Sequence, residues 1–226
     1  MRFAWLSLLL LSCGTSDRAR VSRQCEIGGD APTTIQDVVD RIEALDAAME
    51  EPVTLECFVA SLPRPLELVA SFSTFSAQPS PDREHPRVFL FTDGLIMSIV
   101  LGGEGAHLLE LAEFTSTTRS IKGEIPFPIT APVDDATPYD ILFDEDMTGC
   151  AFCHGGEVEV ADRPGAYESD AIRPGFRELV SLESMERTHA GCDDEVDPIG
   201  CILLHALLDF GEVSETAFDE EIRTFL

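Results

Sequence analysis

From Thr33 to Pro52 the apolar residues recur with a helical period: Ile35, Val38, Val39, Ile42, Leu45 and Met49 share one face. Thr33 and Gln36 are spaced as a capping box, and Pro52 stops the run. The period then falls to two. In "VTLECFVA", Val53, Leu55, Cys57 and Val59 alternate with other residues, which predicts a strand with Cys57 on its buried side. "LELVASFS" reads as a further strand and "QPSPDREHP" as a loop; "RVFLFTDGLIMSIV" predicts a hairpin turning at Asp93-Gly94. "HLLELAEF" and "RSIKGEIPF" add two strands, so residues 33–130 read as one helix followed by an antiparallel β sandwich or small barrel. His85 in the loop and His107 at a strand start read as solvated side chains.

The pattern changes at "PITAPVDDATP", and residues 131–137 read as a linker. Beyond it, residues 138–226 predict mostly helix and loop. Pro138 suits a first helical turn, and "FRELVSLESMERTH" places Leu179, Leu182 and Met185 on one side. "DPIGCILLHALLDFG" has Asp197 as a cap, Pro198 at the first helical position and Gly211 past its end. "FDEEIRTFL" closes the chain as a short helix or strand. The expected class is therefore α+β, with a mostly helical C-terminal segment. No internal repeat is visible.

The first twelve residues change the picture. Arg2 precedes the apolar run "FAWLSLLLLS", which is too short to span a bilayer and reads as an export signal. "LLSC", residues 10–13, resembles the lipobox of bacterial lipoproteins. That resemblance implies acylation at Cys13, a tether over residues 13–32 and a lipid-anchored place in the cell envelope; Gly14 implies outer-membrane sorting. Plain secretion is the alternative. The net charge of −27, from 42 acidic and 15 basic residues, argues against nucleic acid and anionic lipid as partners and favours basic ones. Residues 134–226 alone hold 24 acidic and 5 basic residues. Lys122 is the single lysine among arginines, read here as codon bias.

Export also changes how the cysteines are read. Without Cys13 six remain, and an even number in an oxidising compartment suggests pairing. Chain order suggests Cys25 with Cys57, Cys150 with Cys153, and Cys192 with Cys201. The middle couple stands in "TGCAFCHGGE" as Cys150-x-x-Cys153-His154, the spacing that attaches c-type haem. One helical turn faces both sulfurs toward one haem edge, and the following His reaches the iron.

Residues 138–226 resemble a small c-type cytochrome through that motif, with "YDILFDEDMTGCAFCHGG" as its first helix and "FDEEIRTFL" as its last. The resemblance implies a covalent haem c held by Cys150 and Cys153, with His154 as proximal ligand. Met185 is the candidate distal ligand, with His189 and His205 as alternatives and an open sixth position as another; Met185 on its helix stripe is equally read as core. A thioredoxin-like pair lacks its βαβ setting, and adjacent Cys and His are poorly placed to share one zinc ion. "CDDEVDPIGC" holds four carboxylates but not the spacing of a helix-loop-helix calcium site; a disulfide-closed loop is preferred.

Two functions follow. One is an exported monohaem electron-transfer lipoprotein working with a basic redox partner. The other is a non-enzymatic, disulfide-stapled surface lipoprotein without haem. An enzyme has little support, because no nucleophile–base pair or phosphate loop is visible, though a haem with an open position could act on peroxide.

Overall fold

The computed structural model describes residues 21–74, 76–144 and 147–224. Cys13 and the export and lipidation readings lie outside them.

Helix α1 (Ile35–Ala48) forms as its periodicity predicts, one residue out of the expected cap. Thr34, not Thr33, is the N-cap, and Asp37 completes the box by accepting from the backbone N–H of Thr34. The backbone hydrogen bond from Thr33, outweighing burial, holds the Asp37 carboxyl below the usual range. "VTLECFVA" is not a strand. It folds as helix α2 (Leu55–Ser61), capped by Thr54, with Leu55, Cys57, Phe58, Val59 and Ala60 all buried. Apart from the half-buried Glu56 this helix carries no polar face, so a short apolar run fits either period.

Strands β1 (Leu66–Ser71), β2 (Arg87–Thr92), β3 (Leu95–Val100), β4 (Leu108–Ser116) and β5 (Arg119–Pro126) form an antiparallel meander. Thr92 pairs with Leu95 across the Asp93-Gly94 turn, where Gly94 takes φ +82°. Only glycine enters that region cheaply.

The mostly helical C-terminal segment and the sandwich or barrel are both overturned. The chain after β5 supplies short strands β6 (Leu142–Asp144), β7 (Met147–Thr148), β8 (Val158–Glu159), β9 (Tyr167–Asp170), β10 (Ile172–Arg173), β11 (Leu179–Val180), β12 (Val213–Glu215) and β13 (Arg223–Thr224). Four of them join the meander in one nine-stranded, mostly antiparallel sheet ordered β11-β1-β2-β3-β4-β5-β9-β8, with β12 parallel to the start of β1. The remaining strands pair as β6 with β7 and β10 with β13. The expected first cytochrome helix is instead a 3-10 turn, Thr137–Tyr139, running into β6, and the expected last helix holds β13. Helices here are α3 (Leu182–Ala190) and α4 (Pro198–Leu208), the latter capped by Asp197 with Pro in its first turn, as expected.

The sheet has two different faces. Val88, Leu90, Met97, Ile99, Leu109, Ile121 and Ile125 pack against α1, α2 and α4 in one core. Disulfide Cys25–Cys57 ties the N-terminal segment to α2, and Cys192–Cys201 closes the turn between α3 and α4. With its ends 32 positions apart in the chain, the first constrains the unfolded chain by about 3–4 kcal/mol. The residues that alternate with the core set point to the opposite face, where the remaining chain covers them only in part.

Candidate functional site

On that opposite face, the ladder Phe89–Ser98–Glu110–Glu124 runs across β2 to β5, beside Ile96–Ala112–Lys122. These side chains floor a cavity of about 740 Å³. Its other wall is Gly149, Cys150, Cys153 and His154, and Phe218 and Ile222 of the C-terminal tail border it too. Phe218 stands edge-on to Phe89 and Phe91, with centroids 5.1 and 4.9 Å away. The volume falls within the roughly 300–1,000 Å³ range of cofactor and small-molecule sites.

The Cys-x-x-Cys-His turn is built locally. Thr148, fully buried, caps the 3-10 helix Gly149–Phe152 by accepting from the Cys150 N–H at 3.1 Å. Thr148 is itself held by Glu157, whose carboxylate accepts its backbone N–H at 2.9 Å and also its hydroxyl. The N–H groups of Cys153 and His154 both donate to the Cys150 carbonyl, at 3.1 and 2.9 Å, which closes one turn. Arg119 clamps the following loop to the sheet. Its guanidinium pairs with Asp170 at 3.0 Å and Glu168 at 3.1 Å, and donates to the Gly156 carbonyl at 2.8 Å.

Three groups at the cavity are shifted by their surroundings. Burial, reinforced by the positive charge of Lys122, pushes the His154 pKa down to about 3, so the ring is neutral. Its Nδ1 lies 2.7 Å from the Asp170 carbonyl, which fixes the proton there and leaves Nε2 as a bare lone pair. Burial raises the Cys150 thiol to about 11. Burial also lowers Lys122 to about 8; its ammonium donates to Ser120 at 2.6 Å. Arg87 pairs with Glu110 and donates to Ser98 at 2.7 Å, while burial, then Glu110, raises the Glu124 carboxyl.

Cys150, Cys153 and His154 thus converge, and both cysteines are free while the outer two couples form disulfides as expected. A thiol raised to about 11 is no thiolate nucleophile, which argues against a thioredoxin-like role. Met185, His189 and His205 do not border the cavity. Met185 is buried in the core, and the two histidines meet each other between α3 and α4. His85 is not simply solvated: it bridges Asp82 at 2.8 Å and Asp197 at 2.9 Å. Sequence reasoning missed Arg87, Glu110 and Lys122. The signal lay in the alternation of β5, which sets Lys122 opposite the core residues Ile121 and Ile125.

No family model, curated protein or solved structure matches the chain. Among the described residues no helix is long and apolar enough to cross a membrane.

Proposed function

We propose that this is an exported c-type haem protein of the cell envelope, a monohaem lipoprotein that carries electrons. A haem c would be bound by Cys150, Cys153 and His154 within the cavity and would supply one-electron redox chemistry. The observation that carries the reading is the state of His154. Its Nδ1 proton is committed to the Asp170 carbonyl, its neutral ring leaves Nε2 available, and it lines the same cavity as two free cysteines. Axial histidines are oriented through the same kind of outer hydrogen bond.

The surrounding residues fit that group. Phe89, Ile96, Ala112, Phe114, Phe218 and Ile222 give apolar surface for the flat ring of such a group. Arg87, Glu110, Lys122 and Glu124 share the cavity with His154 and set its local electrostatics, whereas Met185, the expected distal ligand, does not border it. The two disulfides support an oxidising compartment, where haem c is attached. The acidic surface favours a basic redox partner, and Cys13 would carry the lipid anchor.

The test is expression with the export signal in a host that attaches haem c, followed by visible spectra and intact mass. A sharp reduced α band with the added mass of one haem, lost in the Cys150→Ser/Cys153→Ser double variant, is the expected result. A colourless protein would leave the stapled binding module, with the same cavity as its ligand site.

A further inference from the structure

A second cluster lies away from the cavity. His189 in the last turn of α3, His205 in the last turn of α4 and Asp209 at the α4 C-cap meet at one point. The His189 Nε2 lies 3.1 Å from the His205 Nδ1 and 3.0 Å from the Asp209 Oδ1. The His205 Nδ1 lies 2.7 Å from the Asp209 Oδ2.

Protons alone cannot satisfy this triangle while Asp209 is a carboxylate. Each nitrogen must carry hydrogen to reach the carboxylate, and two N–H groups then oppose each other at 3.1 Å. Taking the proton from either nitrogen instead sets a lone pair against a carboxylate oxygen. A cation at the centre turns all three lone pairs inward and removes the conflict.

We propose that His189, His205 and Asp209 bind a divalent transition-metal ion of the zinc type. Two imidazole nitrogens and one carboxylate oxygen are a fitting donor set for such an ion. Bonds of about 2.0–2.1 Å in a tetrahedral site separate neighbouring ligand atoms by roughly 3.3 Å. The observed 2.7–3.1 Å therefore opens to the bound geometry by movements of a few tenths of an ångström. The Asp209 side chain is 44% exposed, which leaves solvent access to the cluster. The last carbonyls of α3 and α4 add partial negative charge beside the ion. Disulfide Cys192–Cys201 fixes the turn from which both histidines extend, His189 three residues before it and His205 four residues after it.

The experiment is equilibrium dialysis of the full exported chain against zinc, with metal counted independently of iron, so the result does not depend on haem. One zinc per chain is expected. His189→Gln and Asp209→Asn, each checked for an unchanged far-ultraviolet circular dichroism spectrum, should weaken binding on the order of 100-fold. His107→Gln, at an exposed histidine, should leave it unchanged. Absence of stoichiometric zinc, or equal losses in the His107 and His189 variants, overturns the site.

Discussion

Lys122 carries its ammonium on the cavity floor with Ser120 as its hydrogen-bond acceptor. Burial lowers its pKa from 10.5 to about 8, against the pull of the Glu110 carboxylate. The unfolded chain therefore holds more protons than the folded one between pH 8 and 10.5, and stability rises with pH across that window. Below about 8 the whole cost of the buried charge is present, roughly 3 kcal/mol if fully realised. Glu110 keeps Arg87 as its ion partner when Lys122 is removed. Lys122→Met should thus raise the stability at pH 7 by about 1–3 kcal/mol in urea unfolding, and flatten the rise between pH 8 and 10.5. An equal loss of stability at every pH would show that the ammonium supports the fold rather than burdening it.

At the scale of elements, His85 joins the loop before β2 to the start of α4. Burial opposes its protonation, but the hydrogen bonds to Asp82 and Asp197 prevail and raise its pKa above 6.5. Its stabilising contribution is complete below 6.5 and is lost as pH rises through the raised value. Thermal unfolding of the parent should therefore lose stability between mildly acidic and mildly alkaline pH relative to His85→Gln; parallel profiles would refute the link. This bridge was not legible in the chain, because its partners are 112 residues apart. What was legible is local. Helix α1, the β2–β3 hairpin and α4 each carry their own period, cap and turn, and the Cys-x-x-Cys-His turn is complete within five residues. The strands that overturned the helical C-terminal reading carry little local signal. In β9 the buried positions are Tyr167 and Ser169, and a serine conceals the alternation; β8 is exposed and two residues long. The pairing of β9 is fixed by β5, some 50 residues earlier, and β8 in turn pairs only with β9. Lys122 was passed over for a related reason, since only the register from β2 through β5 brings it near Glu110 and its ion partner Arg87.

At the scale of the molecule, charge and site coincide in the sequence. The segment from residue 134 onward, with 24 acidic and 5 basic residues, contains Cys150, Cys153 and His154. The cavity lining itself is balanced, with Arg87, Lys122 and Arg173 against Glu110, Glu124 and Glu178, so it is the net charge of −27 that gives a partner approaching the proposed haem a negative long-range field. Such a field speeds association with a positive reactant and slows it with a negative one, and salt screens both effects as the Debye length shrinks from about 30 Å at 0.01 M to about 10 Å at 0.1 M. Stopped-flow oxidation of the reduced protein should therefore slow on the order of tenfold over that range with a cationic metal-complex oxidant. With an anionic oxidant of similar potential it should quicken. Opposite salt slopes for the two probes would place the acidic surface at the electron-exchange site. Equal or flat slopes would place the exchange away from the acidic surface and remove charge as the basis for choosing a basic partner.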